Sequence, residues 1–342
     1  MTVSHLSTAR LGATTLLLLA PLAAVSLTGC GGSSNGAPST PVTPPPQTLQ
    51  GFAYLSAFGS PGAGDGQLDI PTNVSVSPNG HIYVADNHND RMEVFNADGT
   101  FNSILGSGVG SSPGQLYYPF GSASDASNNV YVADSSNARV EEFSANGTYI
   151  ATFGSAGSGN GQLNAPVDVA INSNGDVYVV DEGNDRVEVF HSDGTYKITI
   201  GSAGSGNGQL SSPNGVALDS SGNVYVADGS NRRVEVFNPN GTFKATIGSI
   251  GTGNGQLSNP NGVAVDSAND VYVADYDNNR VEVFNPDGSY KTTIGSAGSG
   301  NGQFSHPYWV ALDSSGKVYV ADSNNDRIEI FQPIFGDAVR QK

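Results

Sequence analysis

Residues 225–237 read "YVADGSNRRVEVF", and near-copies begin at Tyr83, Tyr131, Tyr178, Tyr272 and Tyr319. The spacings between successive tyrosines are 48, 47, 47, 47 and 47 residues. A fixed period of that size marks a propeller or a solenoid before any other architecture is considered. One unit, residues 211–249, divides cleanly. "GVALD" is a short apolar strand, "SSGN" a turn, and "NVYVAD" an alternating β-branched and aromatic strand. "GSNR" is a loop, and "RVEVF" alternates again, with Glu235 directed away from the apolar face. "NPNG" carries an Asn-Gly hairpin signal, and "TFKATIGS" is a fourth strand. Four antiparallel strands per 47 residues make one propeller blade, and no stretch shows a helical period of useful length.

The fourth strand settles how the ring closes. Five copies, beginning at Thr100, Thr148, Thr195, Thr242 and Ser289, follow the first five repeats, and the sixth repeat lacks one. Its counterpart stands at the other end, "AYLSAFGS", Ala53–Ser60. An N-terminal strand completing the last blade pairs edges that would otherwise be free, and a solenoid has no use for it. The fold expected is an all-β six-bladed propeller over residues 52–332, with a tail at 333–342.

The consensus P-N-G-V-A-L-D-x-x-G-N-V-Y-V-A-D-x-x-N-x-R-V-E-V-F resembles the NHL-repeat family over nearly all of residues 52–332. The resemblance implies six-bladed propellers that commonly serve as interaction platforms. Some related enzymes, such as the lyase that forms peptide amides, hold a metal in the channel through several His ligands.

Each repeat also carries D-x-x-N-x-R. The pairs are Asp86 and Arg91, Asp134 and Arg139, Asp181 and Arg186, Asp228 and Arg233, Asp275 and Arg280, and Asp322 and Arg327. Asp ends the second strand and Arg starts the third, so the two face each other across a hairpin, where a carboxylate can accept paired bonds from a guanidinium. A set repeated in every blade is expected to be a structural staple, because a catalytic site is single and asymmetric. Function is then sought where the repeat departs from itself.

Those departures follow the Pro that opens each first strand. Blades four and five keep Asn-Gly, whereas the others read Thr72-Asn73, Phe120-Gly121, Val167-Asp168 and Tyr308-Trp309. Tyr117, Tyr118 and His306 stand beside them. An aromatic patch of Tyr118, Phe120, His306, Tyr308 and Trp309, with Asp168 farther round, is expected on the face carrying the D-x-x-N-x-R loops. Such rims with a carboxylate suit sugars, peptides or cationic groups. Blades three to five are expected to carry fold information and little else.

The four His of residues 52–332 are weak metal evidence. His81 and His191 fall on the opposite face, and only His88 and His306 share the patch face. No cofactor is expected. The leading expectation is a non-catalytic binding or scaffolding module for a protein, peptide or glycan. The alternative is a metal-dependent lyase or hydrolase acting in the channel.

Only 13% of the 342 residues are charged, and the net charge is −17, which argues against nucleic acid or an anionic membrane surface as partner. Residues 1–29 read as an export leader, with Arg10 before the apolar run "LGATTLLLLAPLAAVSL". "LTGC", Leu27–Cys30, resembles the lipobox of bacterial lipoproteins and puts lipid on Cys30, the single cysteine. Residues 30–51 form a Gly/Ser then Pro/Thr tether, reaching about 60 Å if mostly polyproline-like. A monomer at the cell envelope, touching membrane only through its lipid, is the expected arrangement.

Overall fold

The structure, a computed structural model, describes residues 47–337. The leader, Cys30 and the tether up to Pro46 lie outside these residues. Six four-stranded antiparallel sheets follow one another round a ring. Blade one comprises Pro71–Val76, Ile82–Asp86, Arg91–Phe95 and Phe101–Leu105. The next four blades repeat that order. Blade six takes Pro307–Leu312, Val318–Asp322 and Arg327–Asp337 from the C-terminal part, and its outer strand is Gln47–Phe58. The closure expected from "AYLSAFGS" is thus present.

That closing pair runs from Phe58 opposite Ile328 to Gln47 opposite Asp337, past residues 52 and 332 at either end.

The second strand of every blade is buried at all five residues, as expected for β-branched runs covered on both faces. Blades pack face to face through these strands. Tyr319, Ala321 and Ile328 of blade six share one apolar cluster with Val74, Ile82, Val84 and Phe95 of blade one, so the seam that joins the chain's ends is as hydrophobic as the others. Each such side chain contributes about 1.5–3 kcal/mol on burial. The six first strands line a central cavity of about 250 Å³.

The repeated polar motif is wired more thickly than a paired Asp–Arg contact. Each Arg Nε donates to the Asp Oδ2 at 2.7–3.3 Å. The second Asp oxygen accepts a backbone N–H from the linker ahead of the blade, as Asp86 does from Asp69 at 2.7 Å. The paired hydrogen bonds expected between one carboxylate and one guanidinium are therefore not formed. In blade one the Nη atoms of Arg91 bind the carbonyls of Ala63, Gly64 and Gln67, pinning the Gly-rich linker. Asn89 Nδ2 joins Asp86 Oδ2 to the Gly62 carbonyl.

The Glu two residues after each Arg completes the set, which the sequence reading did not anticipate. Glu93, Glu141, Glu188, Glu235, Glu282 and Glu329 are fully buried and lie 2.7–3.1 Å from their Arg. One cation thus answers two buried carboxylates. Burial raises the pKa of all six Glu, and of Glu93 and Glu329 to about 7.

The strand opposite accounts for the difference. In the four middle blades a Thr hydroxyl, from Thr152, Thr199, Thr246 or Thr293, donates to the Glu. Glu93 faces Ile104 and Glu329 faces Ala57, neither of which can donate from its side chain.

Candidate functional site

Loops from fourth to first strands and from second to third strands share one face, here called the top. Just below it, the residues at the second position after each Pro form a ring: Asn73, Gly121, Asp168, Gly215, Gly262 and Trp309. Three carry side chains and three are glycines, and the two sets fit together. A Cβ on Gly215 would stand 2.5 Å from the Asn261 carbonyl oxygen and 3.1 Å from Trp309 Cη2, and one on Gly262 would stand 2.7 Å from Trp309 Cα and 2.9 Å from Trp309 Cδ2. A Cβ on Gly121 would stand 2.6 Å from Asp168 Oδ1. The glycines of blades four and five therefore let the next strand's backbone come close, with the Trp309 ring lying against them and lining the central cavity.

This overturns two expectations about the patch. Trp309 is 5% exposed and Asp168 is 1% exposed, so neither lies on the surface. An irregularity in pairing at the start of each of these strands turns the second residue after Pro inward. Asp168 Oδ2 accepts the Val216 N–H at 2.8 Å, and burial pushes this carboxyl well above its usual range. Asn73 is buried too, and its Nδ2 has no acceptor among the described residues.

One layer higher, other expected residues do meet. Phe120 of blade two and Tyr308 of blade six touch across the channel mouth, with ring centroids 5.5 Å apart. Tyr308 also packs edge-on against Tyr276 at 5.5 Å, and Tyr276 lies 4.7 Å from His306. Burial holds the Tyr308 hydroxyl above the usual tyrosine range, with Glu182, Tyr276 and Tyr118 adding repulsion. Tyr118 is 38% exposed at the rim, and its N–H donates to Asp90 Oδ1.

Sequence reasoning missed Tyr276, which belongs to blade five, one of the blades set aside as regular. A signal was present: the residue after the staple Asp is Asn87, Ser135, Glu182, Gly229, Tyr276 or Ser323, a variable position inside a constant motif.

His88 pairs with Asp69 at 3.3 Å, and His306 Nδ1 lies 2.8 Å from Asn324 Nδ2. His191 pairs with Asp176 on the bottom face. Among the described residues no three His, Cys, Asp or Glu come together in a metal-holding group.

The residue before each staple Arg takes a left-handed conformation, and at four of the six seams it closes the top. Asp326, Asp90, Asp185 and Asn279 each accept the N–H of the residue preceding the next blade's Pro, at 2.7–3.0 Å. Asn87 and Ser323 add bonds to the carbonyls of Pro119 and Pro71. Both devices are missing at two seams, between blades two and three, where Ala138 offers no acceptor and Ser135 makes no such bond, and between blades four and five. At the latter, Gly229 has no side chain, and Arg232 has no acceptor to offer Asn259. The 3-10 turn of the other five blades is absent there too. A cleft of about 520 Å³ opens at this seam, with Tyr276 and Tyr308 at one end, Arg232 among its lining residues, and Asn214, Asn259 and Asn261 contributing carboxamides.

Comparison with known proteins agrees with this architecture. The NHL repeat family model matches residues 68–95 and 304–331, and the SMP-30/Gluconolactonase/LRE-like region model matches 155–300. Among solved structures, virginiamycin B lyase from Staphylococcus aureus is 14% identical with a TM-score of 0.56, covering 77% of this chain and 95% of that one. A gluconolactonase from Xanthomonas campestris is 16% identical with a TM-score of 0.62, covering 86% and 99%. The nidogen/laminin complex contains a chain 20% identical with a TM-score of 0.55, covering 67% and 81%. At these identities the likeness is one of fold. The chain is a six-bladed β-propeller whose first and last blades match the NHL repeat.

Proposed function

We propose that this propeller is a non-catalytic binding module, held at the cell envelope by a lipid on Cys30, which takes a glycan, peptide or protein ligand on its top face. One observation carries the reading: side chains that depart from the repeat, Gly229, Arg232, Tyr276 and Tyr308, gather at one open seam. Selection for folding alone would keep that seam like its neighbours. The test is binding to glycan and peptide arrays, with Tyr276→Ala as the cleft variant and Tyr117→Ala as an off-cleft control. The expected outcome is a ligand class lost with Tyr276 and kept with Tyr117; equal binding by both variants would contradict it.

The second reading, a metal-dependent lyase or hydrolase in the channel, draws on the lactonase-region match and on the buried Asp168 carboxyl in the cavity wall. Elemental analysis of the purified protein separates the two. A stoichiometric transition metal lost on His88→Ala or His306→Ala would favour the channel.

A further inference from the structure

We infer that the cleft between blades four and five is a subsite for a carboxylate-bearing sugar unit, with Arg232 and the Asn259 N–H as its anion-binding pair; the inference rests on the binding reading above. Arg232 is, among the described residues, the one Arg outside the six staples. Its guanidinium is left without a carboxylate or carbonyl partner among them, in a chain of net charge −17. It also holds a left-handed backbone, φ 57°, where the equivalent residues are Asp, Asn or Ala. Asp and Asn tolerate that conformation better than Arg does. Ala138 forfeits the same bond at the seam between blades two and three; Arg232 differs in setting an exposed guanidinium in the lining of a cleft.

The same substitution frees a second donor. At four other seams an Asp or Asn accepts the N–H preceding Pro, and here the Asn259 N–H faces a residue with no acceptor. A guanidinium beside an unclaimed N–H is matched to a carboxylate. The remaining lining sets the rest of the ligand. Tyr276 and Tyr308 offer aromatic rings, and Asn214, Asn261 and nearby Ser hydroxyls offer both donors and acceptors. Asp277, exposed at the edge, can accept from ligand hydroxyls. A sugar ring presents an apolar C–H face and a hydroxyl rim, which this lining matches. A peptide would need a free strand edge or apolar pockets for alternate side chains, and the cleft is built from loops and carboxamides. The protein's overall negative charge acts at longer range and is screened beyond about 8 Å at physiological ionic strength.

The test uses purified protein in calorimetric titrations with trisaccharides of galacturonate and of glucuronate. Each is run beside its methyl ester, which keeps the skeleton and removes the charge, and beside an acidic tripeptide. The expected result is a free acid bound roughly tenfold or more tightly than its ester. Arg232→Asn should erase that preference, and Tyr276→Ala should weaken acid and ester together. Equal affinity for acid and ester in the parent protein would overturn the carboxylate assignment while leaving the cleft as a binding site. Tighter binding of the tripeptide, or no binding of any uronate, would overturn it too. In those cases the array experiment with Tyr276→Ala decides separately whether the cleft binds anything.

Discussion

The seam between blades six and one and the seam between blades four and five are built from the same repeat and end differently. At the first, Asp326 accepts the Ile70 N–H, Ser323 donates to the Pro71 carbonyl, and the top is sealed. At the second, Arg232 and Gly229 occupy those two positions, and a cleft of about 520 Å³ is open. Beneath both seams the staples and apolar clusters are the same. The seam between blades two and three also lacks both bonds, at Ala138 and Ser135, so the open seam is set apart by the lost 3-10 turn at Gly229 and by the guanidinium of Arg232. The lesson concerns separation of roles: buried Asp, Glu and Arg hold every blade, and the loop positions between them are free to vary.

The largest effect should come from breaking what the two seams share. Arg327→Met removes the cation from between Asp322 and Glu329 and leaves two buried carboxylates unanswered. The expected loss is about 3–5 kcal/mol, read as a lower midpoint in urea. Arg233→Met should cost a similar amount, since the staple is independent of whether its seam is open.

Overpacking the ring under the top face comes next. Gly262→Ala drives a Cβ into Trp309 and should cost about 1–3 kcal/mol. Pairing it with Trp309→Leu should recover little of that loss, because the closest atoms are the Trp309 Cα and the Val310 nitrogen, which the second change leaves in place. Full recovery would show instead that the glycine serves the Trp ring.

The two end blades should also give the fold a pH dependence. Glu93 and Glu329 have folded pKa values raised from 4.5 to about 7. Between about pH 4.5 and 7 the folded state therefore keeps protons that the unfolded chain has released. Their contribution is fully present below that window and is lost as pH rises through it. Thermal midpoints should be several degrees higher at pH 5 than at pH 7.5. Ile104→Thr, which restores the hydroxyl found in the middle blades, should narrow that gap. A midpoint that rises with pH across the window would contradict this account.

The smallest effects sharpen the comparison of seams directly. Asp326→Ala should cost about 1 kcal/mol by leaving the Ile70 N–H unpaired, whereas Arg232→Asp should stabilise by about 0.5–1 kcal/mol by giving Asn259 its acceptor.

The fold was legible because its signals are periodic. The Tyr spacing, the four-strand unit and the displaced N-terminal strand need only local pattern and a count. The site was legible in part. Phe120 and Tyr308 stood out as departures from Asn-Gly, and they meet at the channel mouth. Trp309 and Asp168 stood out for the same reason and lie a layer deeper, because irregular pairing after Pro turns them inward, which residue identity alone does not reveal. Tyr276 and Arg232 were hidden inside a motif whose constant members read as structural, so its variable members were passed over. The buried Glu was hidden by alternation, since a residue pointing off the apolar face of one strand still met an Arg and a linker.

The central claim is that the repeat holds the fold while the open seam holds the function. The most direct test is calorimetric titration of Arg232→Asp beside the parent protein with the uronate that the parent binds best. The account predicts that the variant, folded and at least as stable, loses that binding. Retained affinity in the variant would contradict it.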